Sequence, residues 1–219
     1  MKRKLEKEVM DDTDAVSAYA EADFKASNQL FIDRINSNLP STATTILDLG
    51  CGPADIPVTL AKLNNRLHIT AVDASKEMLD IATTRIQKQL VQKQVELKQG
   101  KIPGLETILG DIHFDIIISK DMLHHLPAPL HFWREIKRFA KSGTMVYVMD
   151  LLRPHAADEA RSIVETVAAN EADILKEDFY NSLLAAFTLE EILQQLTIAG
   201  LALTVAPFGT RHFLASGIL

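Results

Sequence analysis

The sequence predicts an α/β fold, a doubly wound and mainly parallel sheet with helices at its N-terminus, and three observations carry that prediction. From Thr45 onward, short β-rich runs alternate with helix-like segments, the pattern of βαβ units. The apolar runs are continuous rather than alternating, which suits strands buried on both faces. A glycine-rich turn joins the first run to the helix after it, and an aspartate closes the second run.

In chain order, the first forty residues read as helical. Val16, Tyr19, Phe24, Leu30, Phe31, Ile32 and Ile35 recur among polar positions up to Leu39-Pro40, where a following proline disfavours the αR conformation. This stretch is expected to form an N-terminal extension able to act as a lid. Strands are predicted at Thr45 to Leu49, His68 to Asp73, Gln94 to Lys98, Phe114 to Ser119 and Thr144 to Asp150. The helix after the second strand is capped by Ser75, has Glu77 in its first turn, and carries an apolar stripe of Met78, Leu79, Ala82, Ile86 and Leu90. Residues 155–187 are too long for a simple connection and are expected to form a helical insertion. A capping box, Thr188-Leu189-Glu190-Glu191, opens a helix that ends at Gly200. Two last β-like runs, Leu201 to Ala206 and Arg211 to Ser216, flank Pro207 and Gly209 and suit an antiparallel hairpin. The sheet would then have seven strands.

The chain has 219 residues, of which 47% are hydrophobic and 24% charged. That is an ordinary globular balance, able to bury one core without disulfides or metals as staples, so a single domain over residues 1–219 is expected. No apolar run approaches the roughly 18 residues that span a bilayer. The basic start, Met1 to Glu8, is followed by acidic residues and not by the apolar stretch of a secretory signal. Cys51 is the only cysteine, so there is no intramolecular disulfide and a reducing, cytoplasmic location is expected. A net charge of −6 gives no global cationic field for binding nucleic acid. Arg85, Lys88, Lys93, Lys98 and Lys101 are spaced along one helix and the next strand as a solvated face. The expected partner is a small molecule, with no membrane and no nucleic acid; oligomeric state is open.

The chemistry-bearing segment is Ile46-Leu47-Asp48-Leu49-Gly50-Cys51-Gly52-Pro53-Ala54-Asp55. Its glycines permit a sharp backbone turn and the approach of a ligand without an intervening Cβ. Asp73 stands 73 − 52 = 21 residues after the second glycine, where a carboxylate can accept hydrogen bonds from both hydroxyls of a ribose. A dinucleotide fingerprint would place its third glycine where this chain has Asp55, and an anion there would repel a pyrophosphate. Asp48, two residues before the first glycine, favours a cationic ligand instead.

On these residues the chain resembles the class I, Rossmann-like S-adenosylmethionine-dependent methyltransferases, from about Thr45 to the C-terminus. The resemblance implies that S-adenosyl-L-methionine is the cofactor and S-adenosyl-L-homocysteine the product. Asp48, Gly50, Cys51 and Gly52 would line the methionine portion, Asp73 would hold the ribose, and Ala74 and Met78 would pack near the adenine. Ala54 replaces the family's third glycine. After the third strand, where many members carry an acid for the adenine amino group, this chain reads Gln99-Gly100-Lys101-Ile102-Pro103; the backbone of Lys101 and the side chain of Ile102 would serve instead. Ser119-Lys120-Asp121-Met122-Leu123-His124-His125-Leu126-Pro127 resembles the segment that borders the methyl group, placing Ser119 by the cofactor.

Methyl transfer needs little beyond geometry, because the cofactor brings the activated methyl. If the acceptor is a hydroxyl, His124 or His125 is placed to take its proton. Arg153 would face an anionic substrate or pair with a helix carboxylate, His155 lies at the ligand-binding edge of the sheet, and Tyr19, Phe24, Phe179 and Tyr180 would close a lid over the acceptor. No metal site is expected, since adjacent histidines on an irregular segment rarely aim at one ion and no ligand cluster in the nearby sequence, His131 included, completes a site. The sequence leaves the acceptor and its reacting atom open. It also leaves three rival readings: a methyltransferase of protein or RNA, an NAD-dependent dehydrogenase, and a non-catalytic S-adenosylmethionine-binding module.

Overall fold

The computed structural model describes residues 1–6 and 12–219. Two helices, α1 (Thr13–Glu21) and α2 (Lys25–Asn36), precede β1 (Thr45–Leu49), α3 (Asp55–Leu63), β2 (His68–Asp73), α4 (Lys76–Lys88), β3 (Val95–Gln99), the short α5 (Glu106–Leu109) and β4 (Phe114–Lys120). A 3₁₀ turn (Leu123–His125) leads to α6 (Pro129–Phe139) and the long β5 (Ala140–Leu151). The helices α7 (Ala157–Val167) and α8 (Asp173–Ala185) form the expected insertion, and α9 (Leu189–Ala199), β6 (Thr204–Phe208) and β7 (His212–Ile218) complete the fold.

The strands form one seven-stranded sheet in the order β3-β2-β1-β4-β5-β7-β6. The first five run parallel, and β7 pairs antiparallel with both β5 and β6. Strand side chains alternate between faces with a period of two, and both faces are apolar. Ile46, Ile116, Ile118, Tyr147 and Met149 pack with α2, α3 and α4 on one side. Leu47, Ile117, Val146 and Val148 pack with α5, α6 and α9 on the other. A third cluster, around Leu151, Val164, Leu183 and Leu184, joins α7 and α8 to the end of β5.

Local signals hold well. Ser75 Oγ accepts from Met78 N at 3.1 Å, the capping box of Thr188 and Glu191 is complete, and Gly200 ends α9 in the left-handed conformation. Three expectations need correction. Residues 1–6 are not helical, so the N-terminal extension begins as an irregular segment; residues 7–11, within the same expected helix, lie outside the described residues. Leu90 does not join the apolar stripe of α4 but lies beyond its end, 82% exposed at φ +57. β5 starts at Ala140, ahead of the predicted Thr144, because Ala140 pairs with Phe114 across a register shift that takes up the residues before Met145, Gly143 at φ +89 among them.

Candidate active site

Parallel strands put their carboxyl ends on one edge of the sheet, and the crossover point between β1 and β4 opens a crevice there. The turn after β1 is held by Gly50 N and Cys51 N, which donate to Val72 O at 2.8 and 3.0 Å. Gly50 takes φ +76, and a Cβ on it would lie 2.4 Å from Met122 Cγ, so the turn and the segment after β4 are packed too closely for a side chain. Asp73 Oδ2 accepts from Gly52 N at 2.7 Å and Oδ1 from Ser75 N at 2.9 Å. The carboxylate is thereby fixed, while each oxygen keeps a further lone pair for a ligand hydroxyl. Burial raises the pKa of Asp73, and those backbone donors oppose the rise.

A cavity runs along this edge, lined among others by Gly50, Gly52, Asp73, Ala74, Met78 and Ile102. It encloses about 830 Å³ of empty space, its open mouth included. Lys101 lines it too. Asp48 and Cys51 sit in a smaller cavity beneath the turn with Tyr19, Phe24 and Lys120. Asp48 is 2% exposed; burial, and then the charge of Asp73, push its carboxyl up to about 8. A buried carboxyl of this kind, with no ion pair among the described residues, is stabilised as the anion by a cationic ligand. The Cys51 thiol is pushed well up by burial, which makes it a packing group and not a nucleophile. A flexed glycine turn, a fixed ribose-type acid and a buried carboxyl fit an adenosyl sulfonium.

A second cavity adjoins the first and shares Tyr19, Asp121 and His125 with it. Its walls include Phe24 from between the N-terminal helices, Leu175 and Phe179 from α8, and Arg211 and His212 from around the start of β7. His124 and His125 line it as well. His124 is buried, its Nδ1 is 2.5 Å from Asp150 Oδ1, and its backbone N donates to Asp150 Oδ2 at 3.2 Å. Burial alone would lower the pKa of His124, but Asp150, through charge and hydrogen bond, and then Glu6 and Asp121 raise it to about 9. Asp121 takes the left-handed conformation at φ +53, is ion-paired with Lys120, and lies 3.2 Å from His212 Nε2. Strained backbone of this kind concentrates at functional sites.

The N-terminal segment reaches this place from outside. Arg3 donates to Ala185 O, His124 O and Leu126 O at 2.5, 2.7 and 3.0 Å, and its guanidinium stacks 4.0 Å from the Phe187 ring centroid. Glu6 Oε1 then lies 3.3 Å from His124 Nε2 and 3.1 Å from His125 Nδ1, and burial raises the Glu6 pKa. A carboxylate from more than a hundred residues upstream thus stands beside the two histidines, out of reach of local sequence spacing.

Four predicted site residues face elsewhere. Ser119 lines neither cavity; its buried hydroxyl donates to Leu49 O at 2.7 Å and ties β4 to β1. Arg153 takes the alternative of a helix carboxylate, with Nη2 2.6 Å from Glu191 Oε1. His155 is exposed, and its carbonyl accepts from the chain's amino terminus at 3.2 Å. Tyr180 packs under Arg161, 4.7 Å from its ring centroid, because one residue of helix rotates it about 100° from Phe179. Conversely, Glu6, Asp121, Asp150, Arg211 and His212 were not singled out. Asp150 closes a strand just as Asp73 does, which was the available signal.

Comparison with known proteins agrees with this geometry. A family model described as "Methyltransferase domain" matches residues 40–196. The chain is 32% identical over 109 residues to a demethylmenaquinone methyltransferase of Lactobacillus johnsonii, covering 49% of this chain and 44% of that protein. It is 26% identical over 171 residues to a 27-O-demethylrifamycin SV methyltransferase of Amycolatopsis mediterranei, covering 77% and 58%. The matched part thus spans about half the length of these curated relatives. Among solved structures, the plantazolicin methyltransferase BpumL in complex with a desmethylPZN analog and SAH superposes with TM-score 0.71 at 16% identity, covering 94% of this chain and 89% of that one. A SAM-dependent methyltransferase from Aquifex aeolicus does so with TM-score 0.67 at 20% identity, covering 94% and 98%.

Proposed function

Because the chain belongs to the class I S-adenosylmethionine-dependent methyltransferases, we propose that it methylates a hydroxyl of a small-molecule acceptor held in the second cavity, in the cytoplasm. The observation that supports this reading is the junction of the two cavities at Tyr19, Asp121 and His125. A cofactor in the first and an acceptor in the second would meet there.

Bound S-adenosylmethionine supplies a methyl group already activated by its sulfonium. The protein's own share is placement, and orienting reactants can be worth roughly 7 to 11 kcal/mol of barrier. Gly50 and Gly52 let the backbone approach the methionine portion, with Asp48 beneath as the counter-charge. Asp73 would hold the ribose, Ala74 and Met78 the adenine side, and Lys101 and Ile102 the position where relatives carry an acid. Tyr19, Phe24 and Phe179 cover the acceptor and exclude water. His124, its ring fixed by Asp150, and His125 form part of the wall of the second cavity.

An acceptor enclosed by aromatic side chains from α1–α2 and α8 is compact, which favours a small molecule over protein or RNA. Calorimetric titration with S-adenosylmethionine and S-adenosylhomocysteine, repeated on Asp73→Ala, should show micromolar binding that weakens at least tenfold in the variant. A screen of cell metabolites for labelled methyl uptake should then find a low-mass product. Labelling of macromolecules alone would replace the small-molecule reading, and absence of cofactor binding would overturn the reading altogether.

A further inference from the structure

We propose that Glu6, His124 and His125 form a binding site for a first-row divalent transition metal of the zinc class, beside the acceptor cavity. The inference deepens the proposed function and rests on that reading for the metal's role in the reaction, though not for its binding. Oε1 of Glu6, one ring nitrogen of His124 and one of His125 all lie within 4.8 Å of one another. The distances from Oε1, 3.3 Å to His124 Nε2 and 3.1 Å to His125 Nδ1, are those between neighbouring ligands around one ion with bonds of about 2.0 to 2.2 Å.

A second observation points the same way. Glu6 Oε1 is buried without a hydrogen-bond partner among the described residues, although two ring nitrogens stand at about hydrogen-bonding distance. The contacts have the separation of hydrogen bonds but not their direction, and a cation between the three atoms satisfies all of them at once. The support around the donors is also that of a metal site. Asp150 Oδ1 engages His124 Nδ1 at 2.5 Å, which leaves Nε2 as the coordinating atom in the carboxylate–histidine–metal arrangement. Glu6 Oε2 accepts from Ser182 Oγ at 3.1 Å, which turns Oε1 toward the rings.

Two imidazoles and one carboxylate select zinc, iron(II), cobalt or nickel over magnesium and calcium, which prefer all-oxygen ligands. Three protein ligands leave positions open, and both histidines line the acceptor cavity, so an acceptor oxygen can complete the coordination. Coordination lowers the pKa of that hydroxyl. Its proton passes to solvent, the oxygen's electron pair forms the new O–CH₃ bond, and the S–CH₃ bond breaks with its electrons returning to sulfur. The products are the methyl ether, neutral S-adenosylhomocysteine and one proton.

The test uses untagged full-length protein stripped with a chelator and titrated with Co²⁺, then Zn²⁺, without acceptor. One equivalent of Co²⁺ should bind with visible ligand-field bands, and one equivalent of Zn²⁺ should displace it. Glu6→Gln and His125→Ala should each weaken Co²⁺ binding at least tenfold, and Asp150→Asn by about 10- to 100-fold. S-adenosylmethionine affinity, measured by calorimetry on every variant, reports that the fold is intact. No visible band and no heat at about 100 μM metal would overturn the proposal, as would Glu6→Gln binding as tightly as the parent. Cofactor binding without metal binding would remove the metal alone; metal binding without cofactor binding would leave the site standing and remove the methyl-transfer reading.

Discussion

Asp48 shows at the scale of one side chain how the cofactor site opposes folding. In an unfolded chain this carboxyl titrates near 3.9, whereas burial first and Asp73 second raise it to about 8 in the fold. Between those values the folded state holds a proton that the unfolded state has released, so stability falls as pH rises from about 4 to about 8. The loss is at most about 1.4 kcal/mol per pH unit. Asp48→Asn should flatten that slope and raise the thermal midpoint of the cofactor-free protein at pH 8, while weakening S-adenosylmethionine binding. An unchanged pH slope in the variant would contradict the assignment. Gly50→Ala should do harm of another kind, since its Cβ would overlap Met122 and φ +76 costs an L-residue roughly 1 to 2 kcal/mol. Lower stability and at least tenfold weaker cofactor binding are expected by thermal unfolding and calorimetry. Both positions were legible in the sequence, because the acid and the glycine act through their own backbone neighbourhood. Ser119 and Tyr180 were not, because the facing of a side chain by one position along a strand or helix is set by what it packs against.

Among the elements, α4 ends in a way that the residue pattern hides. Val91 N donates to Ile86 O and Leu90 N to Gln87 O, both at 3.2 Å, the paired bonds of a Schellman motif. Val91 and Ile86 are both buried in the same cluster, supplying the accompanying apolar contact. The left-handed residue that this motif wants is usually glycine, and here it is Leu90. Leu90→Gly or Leu90→Asn should therefore raise the thermal midpoint by the equivalent of about 0.5 to 1 kcal/mol, the backbone relief exceeding the entropy cost. No increase in either variant would refute that account. Thr188→Ala should lower stability by about 1 kcal/mol through loss of the capping box. Capping and strand runs were readable because they depend on residues a few positions apart. The early start of β5 was not, because Lys141, Ser142 and Gly143 resemble a turn, and they are indeed looped out between the paired Ala140 and Met145 while the strand continues on either side.

For the molecule as a whole, the proposed cofactor half of the site is local and the proposed acceptor half is not. The turn, Asp48 and Asp73 come from one βαβ unit, whereas the second cavity gathers residues from α1–α2, α8, β7 and the 3₁₀ turn. That difference explains why sequence spacing could propose residues for the first and only fragments of the second. Arg3 links these distant parts by bonding the carbonyls of Ala185, His124 and Leu126. Charged hydrogen bonds of this sort are worth about 1.5 to 3 kcal/mol each, so Arg3→Ala should loosen the acceptor side. Turnover should fall about tenfold while S-adenosylmethionine affinity stays within about twofold, as read by calorimetry beside a labelled-methyl assay. Equal loss of both would show that the segment supports the entire fold instead.

Among the described residues, no helix is long and apolar enough to cross a membrane. The reversed course of β7 matters more for what this enzyme can become. A seventh strand parallel to the rest would begin at the opposite side of the sheet; running backwards, β7 begins at His212 opposite Leu151. The bend between β6 and β7 is thus delivered to the rim of the second cavity, which Arg211 and His212 line. Insertions or exchanges around Gly209 and Thr210 would reshape that cavity without disturbing the βαβ unit that carries Asp48 and Asp73, leaving the two cavities free to diverge separately.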